Sequence, residues 1–209
     1  PAPDIYDRAV HSWPMRSGSG QSVIDTVGSA DGVLEGPTWV SGEYVGDSAI
    51  EALGDGDRVA LGTLGSFGSD YGYRGFSFAV TADIGAVSSD GVEIIKGVGN
   101  GSARFVVEVG GGWTWGKSGY PLIVLQDSYQ DTIRVRSTQD IQNRRSRILM
   151  TYSGGSSVSS MEVYVNGENV TEHMVNQSYS GVGDFVGGVY LFGVDGALEG
   201  VVDNPVLFD

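Results

Sequence analysis

With 209 residues, no cysteine and two histidines, the chain has no disulfide framework, no thiolate metal site and no cysteine nucleophile, and little from which to build a zinc site or a Ser-His pair. Its 26 acidic residues against 12 basic ones give a net charge of −14, which repels phosphate backbones and argues against a nucleic-acid partner. No apolar run approaches the roughly 20 residues of a membrane-spanning helix, and the length suits one undivided all-β domain over 1–209.

Thirty-four glycines and only six prolines are spread between short Val/Ile/Leu/Phe runs, the texture of many strands joined by tight turns. In chain order the strand candidates are VHSWPM, SAIEAL, DRVALGTL, FSFAVTADI, VEIIKGV, ARFVVEV, PLIVLQD, TIRVRST, RILMTYS, MEVYVN, GGVYLFGV and NPVLF. Apolar residues recur at two-residue spacing in most of these pieces, and hardly anywhere at helical spacing for three turns. A dozen short strands predict a two-sheet antiparallel sandwich. FVVEV, PLIVL and VYLF are apolar on both alternations, which predicts central strands covered on both faces. STQDIQNRRSR, 137–147, is the least strand-like segment and is expected to be a short helix or a long loop. SGGSSVSS, 153–160, is expected to be a flexible hairpin connection, and Asn166-Gly167 in MEVYVNGENV is expected to be a type I′ turn.

The charge has a particular make-up. Aspartates outnumber glutamates by 17 to 9, and Lys96 and Lys117 are the only lysines. Dense surface carboxylates keep a protein hydrated where salt has screened long-range repulsion, so the composition points to work in concentrated salt. The alternative is an ordinary acidic secreted domain. The opening PAPDIYDRAV carries neither the basic nor the apolar region of a secretion signal; either one was removed before this numbering begins or none was used, and the second is the expectation.

Taken together, these pieces resemble a laminin G-like domain of the concanavalin A-like jelly-roll superfamily. The resemblance runs through AVHSWPMRSGSGQSVIDTVGSADGVLEGPTWVSG, VGDSAIEALGDGDRVALG, FSFAVTADI, the Tyr-Val-Asn-Gly hairpin of RILMTYSGGSSVSSMEVYVNGENV, and the closing GALEGVVDNPVLFD. In FSFAVTADI, Ala82 stands where the family usually has a core tryptophan. The resemblance implies a two-sheet jelly roll. It also implies one structural calcium, held by oxygen ligands near the first Asp turn and the last strand, at Asp25 and Asp203. GDGD, 54–57, is a second candidate for the ion, but it lacks the twelve-residue EF-hand spacing and reads more readily as an acidic turn.

This fold hosts lectins, adhesive modules and glucanases alike. Retaining glucanases need carboxylates about 5 Å apart on one face, and the strand pattern that supplies them, Glu-x-Asp-x-Glu or Glu-x-Asp-x-x-Glu, is absent. Asp90 with Glu93, and Glu162 alone, are the nearest approach, so a non-enzymatic protein is expected. Glycan binding asks for exposed aromatic faces with polar groups for hydroxyls. GGGWTWGKSGY, 110–120, offers Trp113 and Trp115 on one side of a strand or loop, with Lys117 and Tyr120 nearby. The same tryptophans suit the core or a subunit interface. SDYGYRGF adds Tyr71 and Tyr73, and Asn-x-Ser/Thr strings begin at Asn100, Asn169 and Asn176.

These features lead to the expectation of a virion surface or structural protein from a virus of an extreme halophile. Its partners would be other virion proteins, further copies of itself as a homo-oligomer, and host-surface glycans. The alternative is a carbohydrate-binding or adhesive module of a secreted haloarchaeal protein. The charge reading makes a direct prediction. Repulsion among the excess carboxylates is felt over about 30 Å at 0.01 M salt, so the thermal midpoint should rise from dilute buffer to molar salt, whereas a flat profile would count against the halophilic reading.

Overall fold

The computed structural model describes residues 9–42, 47–54, 56–62, 75–85, 87, 91–99, 104–110, 117–126, 132–177, 188–192 and 200–208. Among these residues the chain forms seventeen strands. The first half contributes β1 (Ala9–Ser12), β2 (Ser22–Val23), β3 (Gly32–Glu35), β4 (Thr38–Ser41), β5 (Ser48–Ala52), β6 (Arg58–Ala60), β7 (Phe76–Ile84) and β8 (Val92–Val98). The second half contributes β9 (Arg104–Val109), β10 (Pro121–Gln126), β11 (Thr132–Ser137), β12 (Arg144–Tyr152), β13 (Met161–Val165), β14 (Glu168–Asn169), β15 (Thr171–Gln177), β16 (Gly188–Leu191) and β17 (Gly200–Phe208).

Two antiparallel sheets result. Sheet A runs β14-β13-β12-β7-β17-β5-β4, with β1 also paired to β17, and sheet B runs β15-β11-β10-β9-β8-β16-β6-β3-β2. The all-β two-sheet sandwich expected from the alternation is therefore the observed architecture.

Alternation explains the core. In β7, Phe76, Phe78, Val80, Ala82 and Ile84 are buried; in the adjacent β12 so are Ile148, Met150 and Tyr152. Across the interior, sheet B answers with Phe105, Val107 and Val109 of β9, Ile123 and Leu125 of β10, and Ile133 and Val135 of β11, all in the same buried cluster. Each fully buried large apolar side chain contributes about 1.5–3 kcal/mol. Phe76 meets Phe105 and Tyr152 edge-on, at centroid separations of 5.9 and 5.6 Å, the arrangement favoured by the ring quadrupoles. Where the resemblance expects a tryptophan, Ala82 points inward in a row of modest side chains, between Ser146 and Val202. The large indole of Trp13, fully buried, donates instead to the Ala30 carbonyl at 2.7 Å.

The doubly apolar pieces are indeed central strands of sheet B: β9, β10 and β16 each have neighbours on both sides. On the outer face, Val106, Leu122 and Val124 form a second small apolar cluster with Met174. The segment expected to be a helix or long loop is instead a short connection, because β11 extends to Ser137 and β12 already begins at Arg144. The serine-rich connection is a hydrogen-bonded turn. A single 3-10 turn, Val158–Ser160, is capped by Ser157 Oγ, and Tyr152 Oη donates to the Gly155 carbonyl at 2.5 Å.

Asn166 and Gly167 take φ values of 53° and 85°, the two left-handed residues of the expected type I′ turn between β13 and β14. No atom lies within 4 Å of a Cβ added at Gly167, so substitution there is resisted by the backbone alone. Gly167→Val should cost about 1–3 kcal/mol, read as a lowered midpoint in denaturant unfolding; an unchanged midpoint would contradict the turn assignment.

Candidate functional site

The outer face of sheet A carries a groove of about 840 Å³ built from β7, β12, β13 and β17 and from the Asn166-Gly167 turn. Register decides what lines it. Residues opposite one another on neighbouring antiparallel strands project to the same face. The pairs Ala79↔Leu149 and Thr81↔Arg147 join β7 to β12, Leu149↔Tyr164 joins β12 to β13, and Val206↔Ala79 joins β17 to β7. Ala79, Leu149, Val206 and Phe208 give an apolar lining, and Tyr164, Thr81, Arg145, Arg147, Asn166 and Asn204 add the aromatic and polar groups.

Several of these residues are held in place. Tyr164 Oη donates to Glu162 Oε2 at 2.6 Å, and that hydrogen bond raises the tyrosine's pKa above its usual value. Arg147 is fixed at both backbone groups: its N–H donates to Asn166 Oδ1 at 2.9 Å and its carbonyl accepts from Asn166 N–H at 2.8 Å. Arg145 Nη2 donates to Asp203 Oδ2 at 2.7 Å. The Asp203 side chain is 2% exposed. Burial raises its pKa and the nearby charge of Asp47 adds to this, against the pull of Arg145.

The residues expected to hold calcium are not brought together in a cation site. Asp25 Oδ2 accepts from His11 Nδ1 at 2.6 Å and from Ala30 N–H at 3.0 Å. Its Oδ1 accepts from the N–H groups of Ser12, Val27 and Gly28 at 3.0, 3.2 and 2.9 Å. Burial pushes the Asp25 carboxyl up, but these donors outweigh it and hold the pKa at about 2. A ring of N–H donors suits an anion, whereas calcium needs oxygen lone pairs. Asp203 is committed to Arg145, and among the described residues no group of three His, Asp or Glu side chains converges. The arrangement of these residues does not fit a shared calcium. In the GDGD segment Asp55 lies outside the described residues, and Asp57 Oδ2 accepts from Leu53 N–H at 3.0 Å, as in an acidic turn.

Trp113 and Trp115, like Tyr71, Tyr73, Asp90 and Asn100, lie outside the described residues. Tyr120 lies in the β9–β10 connection, away from the strands of the groove. Its N–H donates to the Lys117 carbonyl at 3.0 Å, and Lys117 Nζ lies 4.0 Å from its ring centroid. Asn169 Oδ1 accepts from Thr171 Oγ1 at 2.7 Å within its own Asn-x-Thr string.

Sheet B brings together a constellation that sequence inspection missed. A bulge between Glu93 and Ile95 of β8 adds one residue to the alternation, so that Glu93 and Lys96 face the same side. Lys96 Nζ lies 3.1 Å from Glu93 Oε1. Glu93 is directly opposite Glu108 of β9. Arg104 Nε donates to Gln126 Oε1 at 2.9 Å, and Arg136 pairs with Glu172 at 2.8 Å. Burial raises the Glu108 pKa, and the charge of Glu93 raises it further; Arg104, Arg134 and Lys96 act in the opposite direction. Glu108 therefore holds its proton above the usual carboxylate range. The only signal in the sequence was the pair of strands VEIIKGV and RFVVEV, whose register depends on the bulge.

No protein-family model matches the chain, and none of the curated proteins does. Solved structures do match. Domain 4 of AbnA, a GH43 extracellular arabinanase from Geobacillus stearothermophilus solved with arabinotriose, superposes with a TM-score of 0.66 at 10% identity, over 97% of this chain and 92% of that one. Botulinum neurotoxin type C, whose cell entry depends on interaction with two ganglioside molecules, matches with a TM-score of 0.69 at 17% identity. Trypanosoma rangeli sialidase in complex with sialic acid matches with a TM-score of 0.62 at 14% identity. These likenesses show the fold, a two-sheet antiparallel β-sandwich. The chain covers 92% of the arabinanase domain but only 48% of the neurotoxin chain and 31% of the sialidase chain.

The Glu108 environment yields a pH-dependent prediction. Its folded pKa is above the unfolded value, so the folded state binds the proton more tightly. Its contribution therefore favours folding below the unfolded carboxylate range and is lost as pH rises through the raised folded value. Glu108→Gln, which mimics the protonated form, should raise the thermal midpoint at about pH 7 and leave it nearly unchanged near pH 4. An unchanged midpoint at neutral pH would contradict this reading.

Proposed function

We propose that the chain is a non-enzymatic glycan-binding sandwich that seats sugar in the groove of sheet A. The carrying observation is the make-up of that groove: aromatic Tyr164 and Phe208 beside an apolar floor, with Thr81, Asn166, Asn204 and two arginines supplying polar groups. Sugar rings present C–H surfaces to aromatic side chains and hydroxyls to planar polar groups. Matching domains from an arabinanase seen with arabinotriose, and from a ganglioside-dependent neurotoxin, support a sugar ligand. The non-enzymatic part is supported by the commitments of the carboxylates: Glu93 to Lys96, Asp203 to Arg145 and Glu162 to Tyr164.

The acidic, lysine-poor, cysteine-free composition supports a place in concentrated salt, and the setting we propose is the virion surface of a virus of an extreme halophile. A carbohydrate-binding or adhesive module of a secreted haloarchaeal protein is the alternative. Capsid and tail genes beside the coding gene would favour the first, and a longer reading frame with a signal peptide the second. Tyr120, Trp113 and Trp115 remain a second candidate patch for the same class of ligand.

Retention on a panel of immobilised polysaccharides tests the groove. Tyr164→Ala should weaken retention about tenfold, the loss of one aromatic stacking contact, with the thermal midpoint nearly unchanged because this side chain lies on the outer face. Undiminished retention would move the site to the Trp113 and Trp115 segment. New reducing ends released from the retained polysaccharide would overturn the non-enzymatic reading.

A further inference from the structure

We propose that the ligand of the sheet A groove is an uncharged, extended glycan of at least three sugar units, laid across the strands between Tyr164 and Phe208; this rests on the groove reading above. Charge sets the class of sugar. Arg145 and Arg147 line the groove, but two carboxylates stand beside them: Asp203 is bonded to Arg145, and Glu162 to the Tyr164 hydroxyl. Arg147 is itself engaged within the molecule. Two cations against two carboxylates leave no net charge for an ionised sugar to meet, and an anion seated there would displace bonds already made. The chain as a whole, at −14, repels such an anion further. A neutral sugar needs only hydrogen-bonding groups and apolar surface. Thr81, Asn166 and Asn204 supply the first, and the floor of Ala79, Leu149 and Val206 the second.

Register sets the length. Tyr164, Leu149, Ala79 and Val206 stand opposite one another in turn on β13, β12, β7 and β17. They form a single row on one face that crosses three strand spacings, about 14 Å. Phe208 lies two residues beyond Val206, on the same face of β17. Tyr164 is drawn the same way, because its hydroxyl is bonded to Glu162. Glu162 is opposite Thr151, Thr151 is opposite Ser77, and Ser77 is opposite Phe208. The two rings therefore stand on opposite sides of the groove, with Ala79, the smallest side chain of the row, between them. An extended glycan advances by roughly one strand spacing per unit. A single sugar reaches one ring, and about three units reach both. The bond to Glu162 also holds the Tyr164 ring before binding, which lessens the freedom lost when a sugar stacks on it.

Calorimetry in molar salt tests this with oligosaccharides of one to six units from β-1,4-glucan, β-1,4-mannan and α-1,5-arabinan, and with trigalacturonate as the charged counterpart. In at least one neutral series the affinity should rise about a hundredfold from one unit to three and level off beyond. Phe208→Leu keeps apolar bulk but removes the ring; it should lower the affinity for the three-unit ligand about tenfold, with thermal unfolding measured alongside to show that the variant is folded. Trigalacturonate should bind at least about tenfold more weakly than the best neutral ligand of the same length. Affinity that does not grow with length, but is lost on Tyr164→Ala, would overturn the span and leave the groove reading standing. A length dependence that survives Phe208→Leu would overturn the assignment of the far end to Phe208. Trigalacturonate bound as tightly as the neutral ligands would overturn the uncharged class. If no neutral oligosaccharide binds, the proposal fails, and the groove reading fails with it only if Tyr164→Ala also leaves retention on polysaccharide undiminished.

Discussion

A single extra residue in β17 sets much of what is described above. Between Asp203 and Val206 the last strand carries two residues where β7 carries one, between Thr81 and Ala79. Asn204 takes φ of 48° there, and Pro205, which has no N–H to give to a ladder, occupies the bulge. The consequence is a change of parity. Asp203 and Val206 both face outward, the first toward Arg145 and the second into the groove. The same kink divides one side of β17 between two partners, β5 along 200–202 and β1 along 206–208. The Pro205 carbonyl accepts from Trp13 N–H at 3.0 Å, which places the indole in the core. The N-terminal strand, the core aromatic and the groove thus share one backbone irregularity.

The two outer faces of the sandwich solve different electrostatic problems. On sheet B, cations and carboxylates alternate and are matched in pairs, Lys96 with Glu93 and Arg136 with Glu172, around the small apolar cluster of Val106, Leu122 and Val124. Such a face is balanced within itself, apart from the excess proton affinity at Glu108. On sheet A, Asp203 and Glu162 are bound at the margin of the groove, to Arg145 and Tyr164, beside a lining of arginine, amide, hydroxyl and aromatic groups. The difference is one of partners and register, not of composition.

The Asn166-Gly167 turn has two roles. Its left-handed residues close the β13–β14 hairpin, a purely conformational duty. The side chain of Asn166 then bonds the backbone of Arg147, and both turn residues line the groove. Asn166 therefore supplies, beyond the φ that glycine also allows, an amide that extends the β12–β13 ladder by one side-chain bond.

The sequence by itself determined the class of fold, because inward and outward residues must alternate wherever a strand has one buried face. FSFAVTADI and VEIIKGV are strands along their whole length. It did not reveal β15, TEHMVNQ, which lies at the edge of sheet B, where fewer apolar residues are needed and the periodic signal is weak. Asp25 was legible as the residue that begins a turn, but not the five N–H donors that fill its oxygens, since four are backbone groups and the fifth is His11, fourteen positions away. The groove and the Glu93–Glu108 pair were decided by tertiary structure alone. Arg147, Thr81 and Asp203 meet across three strands far apart in sequence, and both bulges shift parity by one residue. A period-2 pattern records which residues share a face of one strand; only the register between strands records which of them share a site.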